Sequence, residues 1–133
     1  MSSSTPIFAS LDDLSSPLGY SHVVSIPAGR LVWTSGQVAV DAGGGIVGLG
    51  DWEAQARLVF QNLTRALEAA GAGWSNVVKL TFFVVDVTHL ATIRAVRDEF
   101  VDTSRPPTSS LVQVAGLVDP DLLLEVEAVA SLP

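Results

Sequence analysis

The stretch "DWEAQARLVFQNLTRALEAAGAGWSNVVKLTFFVVDV", residues 51–87, switches hydrophobic period midway and so decides the fold. In its first half Ala56, Phe60, Leu63, Leu67 and Ala70 recur at spacings of four, three, four and three, while Arg57, Gln61, Arg65 and Glu68 fall on the other side. That is the single apolar stripe of an amphipathic helix. Asp51 is the expected N-cap, Glu53 adds negative charge to the first turn, and Gly71 stands where a left-handed residue ends a helix. The second half, from Asn76, is β-branched and aromatic, interrupted only by Lys79, Thr81 and Asp86, which predicts a mostly buried strand.

Working outward, "YSHVVSIPAGRLVWTSGQVAV", residues 20–40, reads as two β-rich runs joined by a hairpin-type turn at Pro27-Ala28-Gly29, so that a meander opens the domain. The first few residues and "DAGGGIVGLG" read as loose loops, the latter lacking the Lys-Ser/Thr of a phosphate-binding loop. Thr88 is expected to cap a second helix with Leu90, Ile93, Val96 or Arg97, and Phe100 on its stripe. "TSSLVQVAGL" and "DLLLEVEAVA" close the chain as two strands around an Asp119-Pro120 turn. The order ββ(β)αβαββ predicts an α+β domain, one mixed sheet covered on one face by two helices. The strands nevertheless read as apolar on both faces. Leaving a bare apolar face in water costs about 25 cal/mol per Å², so a second subunit is expected to cover it in a closed homo-oligomer.

Composition supports one domain over residues 1–133 and narrows the chemistry. With no cysteine and only His22 and His89, neither at metal-ligand spacing, no metal and no cofactor is expected. Fourteen acidic against seven scattered basic residues, net −7, repel phosphate backbones, so no nucleic acid partner is expected. The N-terminal stretch has no leader-like pattern and no apolar run is long enough to span a bilayer, which predicts a cytoplasmic protein without a membrane. Hydrophobic residues are 48% and charged ones 16%, too little polar surface for a small monomer, an independent sign of a subunit interface.

Four places carry candidate chemistry. Glu125 and Glu127 lie two apart on an otherwise apolar strand and so share a face. One of them can act as general base or position a water; alternatively they pair with Lys79 or an arginine, or face solvent at a sheet edge. "TSGQ", Thr34 to Gln37, ends a strand with the Ser35 hydroxyl and with Gly36, where a ligand can approach the backbone. "RPPTSSLVQVAGL", residues 105–117, brings Ser109 and Ser110 into a strand after a Pro-Pro break. Tyr20, the one tyrosine, can wall a pocket or simply pack in the core.

Taken together, "GYSHVV", "LVWTSGQVAV", the residue 55–87 run with its EAAG and K-x-T-x-F-V-x-D pieces, and "LLLEVEAVA" resemble the RidA/YjgF family of reactive intermediate deaminases from about Tyr20 to Ala130. The resemblance implies a chorismate-mutase-like homotrimer with a small-molecule cleft between neighbouring subunits, and metal-free, cofactor-free hydrolysis of imines and enamines. It implies that Tyr20 walls the cleft, that Ser35 and the Gly36 backbone line it, that the Leu111 amide bonds the ligand and that Glu125 helps position the attacking water. Deaminating members carry a carboxylate-clamping arginine where this chain has Ser109. Losing such a fork costs about 2 to 5 kcal/mol, so ordinary 2-imino acids are expected to be poor substrates, unless Arg94 or Arg105 supplies the charge. A neutral or differently anchored ligand is the expectation, with Ser109 lining the site on the same side of the sheet as Glu125. A non-catalytic small-molecule-binding or holdase-like trimer is the alternative. Some relatives are named as ribonucleases, a reading the acidic balance disfavours.

Overall fold

The computed structural model describes residues 6–27 and 29–133. Ala28, at the centre of the expected Pro27-Ala28-Gly29 turn, lies outside the described residues. In chain order these form β1 (Ile7–Ala9), β2 (Val23–Ser25), β3 (Arg30–Trp33), α1 (Trp52–Ala69), β4 (Val77–Val84), α2 (Leu90–Arg97), β5 (Thr108–Gln113) and β6 (Leu124–Leu132).

The helix α1 is built as its sequence demands. The Asp51 carboxylate accepts the Ala54 N–H at 3.0 Å, and Gly71 ends the helix at φ +79°. There its N–H reaches the Glu68 carbonyl at 3.0 Å, a geometry an L side chain resists. Its inner face buries Ala56, Val59, Phe60, Leu63 and Leu67 against the sheet. Gln55 is also fully buried, because its amide works as a connector. Its Nε2 donates to the Gly48 carbonyl at 3.1 Å and the Asp121 carbonyl at 2.9 Å, and its Oε1 accepts the Leu123 N–H at 2.9 Å. Gln55→Leu keeps the volume but removes the partner of three part-buried backbone groups, so it should cost on the order of 3 kcal/mol in urea unfolding.

The larger sheet runs β3-β6-β4-β5. The strand β6 is antiparallel to β3 and β4, while β5 is parallel to β4, reached by the crossover through α2. The two closing strands are therefore not neighbours: β4 lies between β5 and β6, although the turn at Asp119 is present, with its carboxylate accepting the Asp121 N–H at 2.9 Å. The expected opening hairpin also differs. β2 pairs with β1, and β3 with β6, so Ile7–Ala9, read as loose, supplies a strand. Alternation marks where a strand is; it carries no information on its partner. The expected cap at Thr88 also differs: a 3-10 turn, Val87–His89, precedes α2 and is capped by Asp86, which accepts the Thr88 N–H at 2.9 Å and hydroxyl at 2.7 Å, while α2 itself starts after His89 with no side-chain cap. Those bonds hold the Asp86 carboxyl below the usual carboxylate range.

Both helices pack on one face of this sheet, over Val77, Leu80, Phe82 and Val84 of β4 and Leu124, Val126, Ala128 and Ala130 of β6. The opposite face carries Leu31 and Trp33 of β3, Lys79, Thr81 and Phe83 of β4, Glu125, Glu127 and Val129 of β6, and Val112 of β5. On it Trp33 is 65% exposed and Val112 46%. The fold is the chorismate-mutase-like α+β arrangement, with the uncovered face more mixed in polarity than its strands suggested. Among the described residues no helix is long and apolar enough to cross a membrane.

Candidate functional site

On the uncovered face the chain after β3 detaches from β6 for a few residues. Thr34 still donates its N–H to the Ala128 carbonyl at 3.0 Å, and Gln37 rejoins through its bridge to Val126 at 2.8 Å. Between these bonds one strand spends one residue more than the other, a β-bulge that leaves Ser35 exposed beside the sheet. Gly36 sits under the Glu125 side chain so closely that a Cβ would overlap the carboxylate. Here glycine is required by space, since its φ is not left-handed.

Glu125 and Glu127 do share this face, on a strand in the middle of the sheet and not at its edge. Among the described residues neither forms an ion pair. Lys79, the obvious partner, donates instead to the Ser110 hydroxyl at 2.7 Å. A half-buried carboxylate without a counter-ion, held over a glycine, is an accessible acceptor for water. Gly36→Ala should displace it by an ångström or so, lowering kcat for any reaction it serves by as much as about 100-fold with little change in melting temperature.

The other candidates gather on the helix side. In the parallel ladder Ser109 lies opposite Leu80 and Leu111 opposite Phe82, both β4 residues that face the helices. Together with Tyr20, Phe82, Arg94 and Arg97 they line a cleft of about 220 Å³ between β5, α2 and the loop ahead of β2. That loop is pinned by Ser21, buried at 4% exposure, whose N–H donates to the Pro107 carbonyl at 3.1 Å and whose hydroxyl donates to the Pro106 carbonyl. The Pro-Pro break is thus what sets Tyr20 beside Ser109. His22 is structural: its Nδ1 accepts the Leu11 N–H at 2.9 Å, so its Nε2 donates to the Ser15 carbonyl at 2.8 Å, and its ring meets Tyr20 edge-on at 6.0 Å.

Ser109 and Glu125 accordingly stand on opposite sides of the sheet, against expectation. Their β4 partners, Leu80 and Phe83, are three apart, and strand side chains alternate. One protomer holds these candidates in two separate groups: Ser35, Gly36 and Glu125 on the open face, and Tyr20, Ser109 and Leu111 in the cleft. Of the two arginines considered as replacements, Arg94 lines the cleft. Arg105 does not: its guanidinium lies over the Phe8 ring, 4.6 Å from the centroid, at a separate cavity of about 230 Å³ beside Asn76 and Ser131. Arg97 is the cleft residue the sequence reading passed over. It was counted only as an alternative to Val96 on the apolar stripe of α2, and a charge on such a stripe was the available signal. Among the described residues no cluster of three metal-ligating side chains occurs.

Comparison with known proteins agrees with this architecture. The family model described as endoribonuclease L-PSP matches residues 12–132. A Rid-family protein of unknown function from Yersinia pestis, YyfB, superposes with a TM-score of 0.86 at 36% identity, over 96% of this chain and 98% of that one. Escherichia coli TdcF, solved with bound serine, superposes with a TM-score of 0.71 at 38% identity, over 81% and 85% of the two chains. The 2-iminobutanoate/2-iminopropanoate deaminase of Salmonella typhimurium is 38% identical over 111 residues, 82% of this chain and 85% of that protein. A match across nearly the whole chain, on a fold whose two helices back a mixed sheet, places this protein in the RidA/YjgF family.

Proposed function

We propose that the protein is a homotrimeric, cofactor-independent hydrolase of small reactive imines or enamines in the cytoplasm. Its active sites form where the Glu125 face of one protomer closes the Tyr20–Ser109 cleft of the next. The observation that carries this is the Glu125 carboxylate, poised over Gly36 on an open sheet face, with no counter-ion among the described residues. Two half-sites on opposite sides of one sheet become one site only between subunits. The exposed Leu31, Trp33 and Val112 on that face give the association its apolar driving force.

Glu125 accepts a proton from a water molecule as its oxygen adds to the C=N carbon. Protonated Glu125 returns that proton to the nitrogen, giving a carbinolamine, and then relays the hydroxyl proton to the amine as the C–N bond breaks, leaving a carbonyl compound and ammonia or an amine. An enamine enters the same route after protonation at carbon. The activity named for the Salmonella relative and the small amino acid held by TdcF support this substrate class. The test is ammonia release from imines generated in situ, one carrying a carboxylate and one neutral, followed as a function of protein concentration. Turnover above the spontaneous rate for either is expected. Ligand-induced stabilisation without turnover of either would make the protein a binding module instead. Light scattering should give the mass of a trimer, and a stable monomer at micromolar concentration would remove the site altogether.

A further inference from the structure

We infer that Arg97, from the helix wall of the cleft, holds the carboxylate of the ligand, so that this chain selects small anionic substrates although its strand position carries Ser109. The inference rests on the reading of this cleft as the substrate site. Arg97 is 7% exposed, and its guanidinium lies against Gly19, where a Cβ would overlap it. Gly19 adopts φ +85°, so the loop bearing Tyr20 turns over the arginine instead of colliding with it. Only one of its N–H groups has a protein acceptor among the described residues: Nε donates to Asp98 Oδ1 at 2.9 Å. The two terminal nitrogens, with their four N–H donors, have no acceptor among these residues, while the side chain lines the cleft.

Among the described residues no buried side-chain nitrogen lacks a partner, so these terminal nitrogens open to the solvent of the cleft, where a carboxylate can replace water on them. A second cation, Arg94, lines the same cleft three residues earlier on the same helix face. With Asp98 as the nearby acid the pocket keeps a positive balance, in a chain that is strongly acidic overall. A planar fork of parallel N–H donors binds a carboxylate bidentately. The ligand class is therefore a small carboxylate, and Ser109 adds a neutral hydroxyl where a second fork would crowd two resident cations.

The experiment is calorimetric titration of the intact protein with pyruvate, an unreactive probe that shares the carboxylate, and with pyruvamide, its neutral counterpart. Wild type should bind pyruvate at least about tenfold more tightly than pyruvamide, and more weakly as salt rises. Arg97→Gln should weaken pyruvate roughly 30-fold or more and leave pyruvamide unchanged, with Arg97→Lys in between. Equal binding of the two probes by wild type would overturn the proposal without any variant, which covers the case of an Arg97 variant that does not fold. So would an Arg97→Gln protein that keeps the preference. The catalytic reading fails separately. If Glu125→Gln retains full turnover while pyruvate selection depends on Arg97, the anchor stands and the general base does not. If turnover depends on Glu125 but pyruvate has no advantage, the reverse holds.

Discussion

Glu125→Gln should reduce kcat for imine hydrolysis by about 100- to 10,000-fold, the range a positioned general base contributes, while light scattering shows an unchanged assembly. The amide keeps the shape of the carboxylate, so it still fits above Gly36, but it no longer accepts a proton from water. The substitution removes no ion pair among the described residues, and melting temperature should hardly move. Equal rates in the two proteins would take the chemistry away from this residue. A comparable loss in Glu127→Gln would move the role by two positions along the same face.

Phe60→Ala should destabilise the fold by about 3 to 5 kcal/mol, the usual cost of emptying a large buried aromatic site. Phe60 is fully buried and meets three rings at once: Trp74 at 5.5 Å, Phe82 at 6.1 Å and Phe100 at 5.4 Å between centroids. The surroundings are tied down, since Trp74 Nε1 donates to the Thr64 hydroxyl at 2.8 Å and that hydroxyl donates to the Phe60 carbonyl at 2.8 Å. They cannot collapse easily into the void. Phe82 also lines the cleft beside Tyr20 and Ser109, so pyruvate affinity should fall in the surviving folded protein. Chemical denaturation at one fixed protein concentration measures the first effect, because an oligomer's stability depends on concentration. A loss below about 1 kcal/mol would show that the aromatic cluster repacks.

Local features were legible in the chain because their causes are local. The cap at Asp51, the left-handed Gly71, the stripe from Ala56 to Leu67 and the shared face of Glu125 and Glu127 each follow from residue type and from periods of 3.6 or 2. The resemblance carried by the SGQ and E-V-E-A-V-A pieces brought the family and a list of site residues. The Asp86 cap is not legible because two polar residues two positions apart, Asp86 and Thr88, compete for one turn and only the geometry chooses between them.

What this sequence determined by itself was its helices, most of its strands and the kind of residue at each candidate position. Which strands became neighbours was a tertiary decision: β1 joined β2, and β4 came between β5 and β6. Hydrogen-bonded pairing is decided by which edges the crossover through α2 leaves open, and no alternation pattern encodes that. The same register put Ser109 and Glu125 on opposite faces and turned a charged residue on an apolar helix stripe, Arg97, into the wall of a cleft. A side chain's type is written in the chain, but the face it occupies and the groups it meets exist only once distant segments have packed.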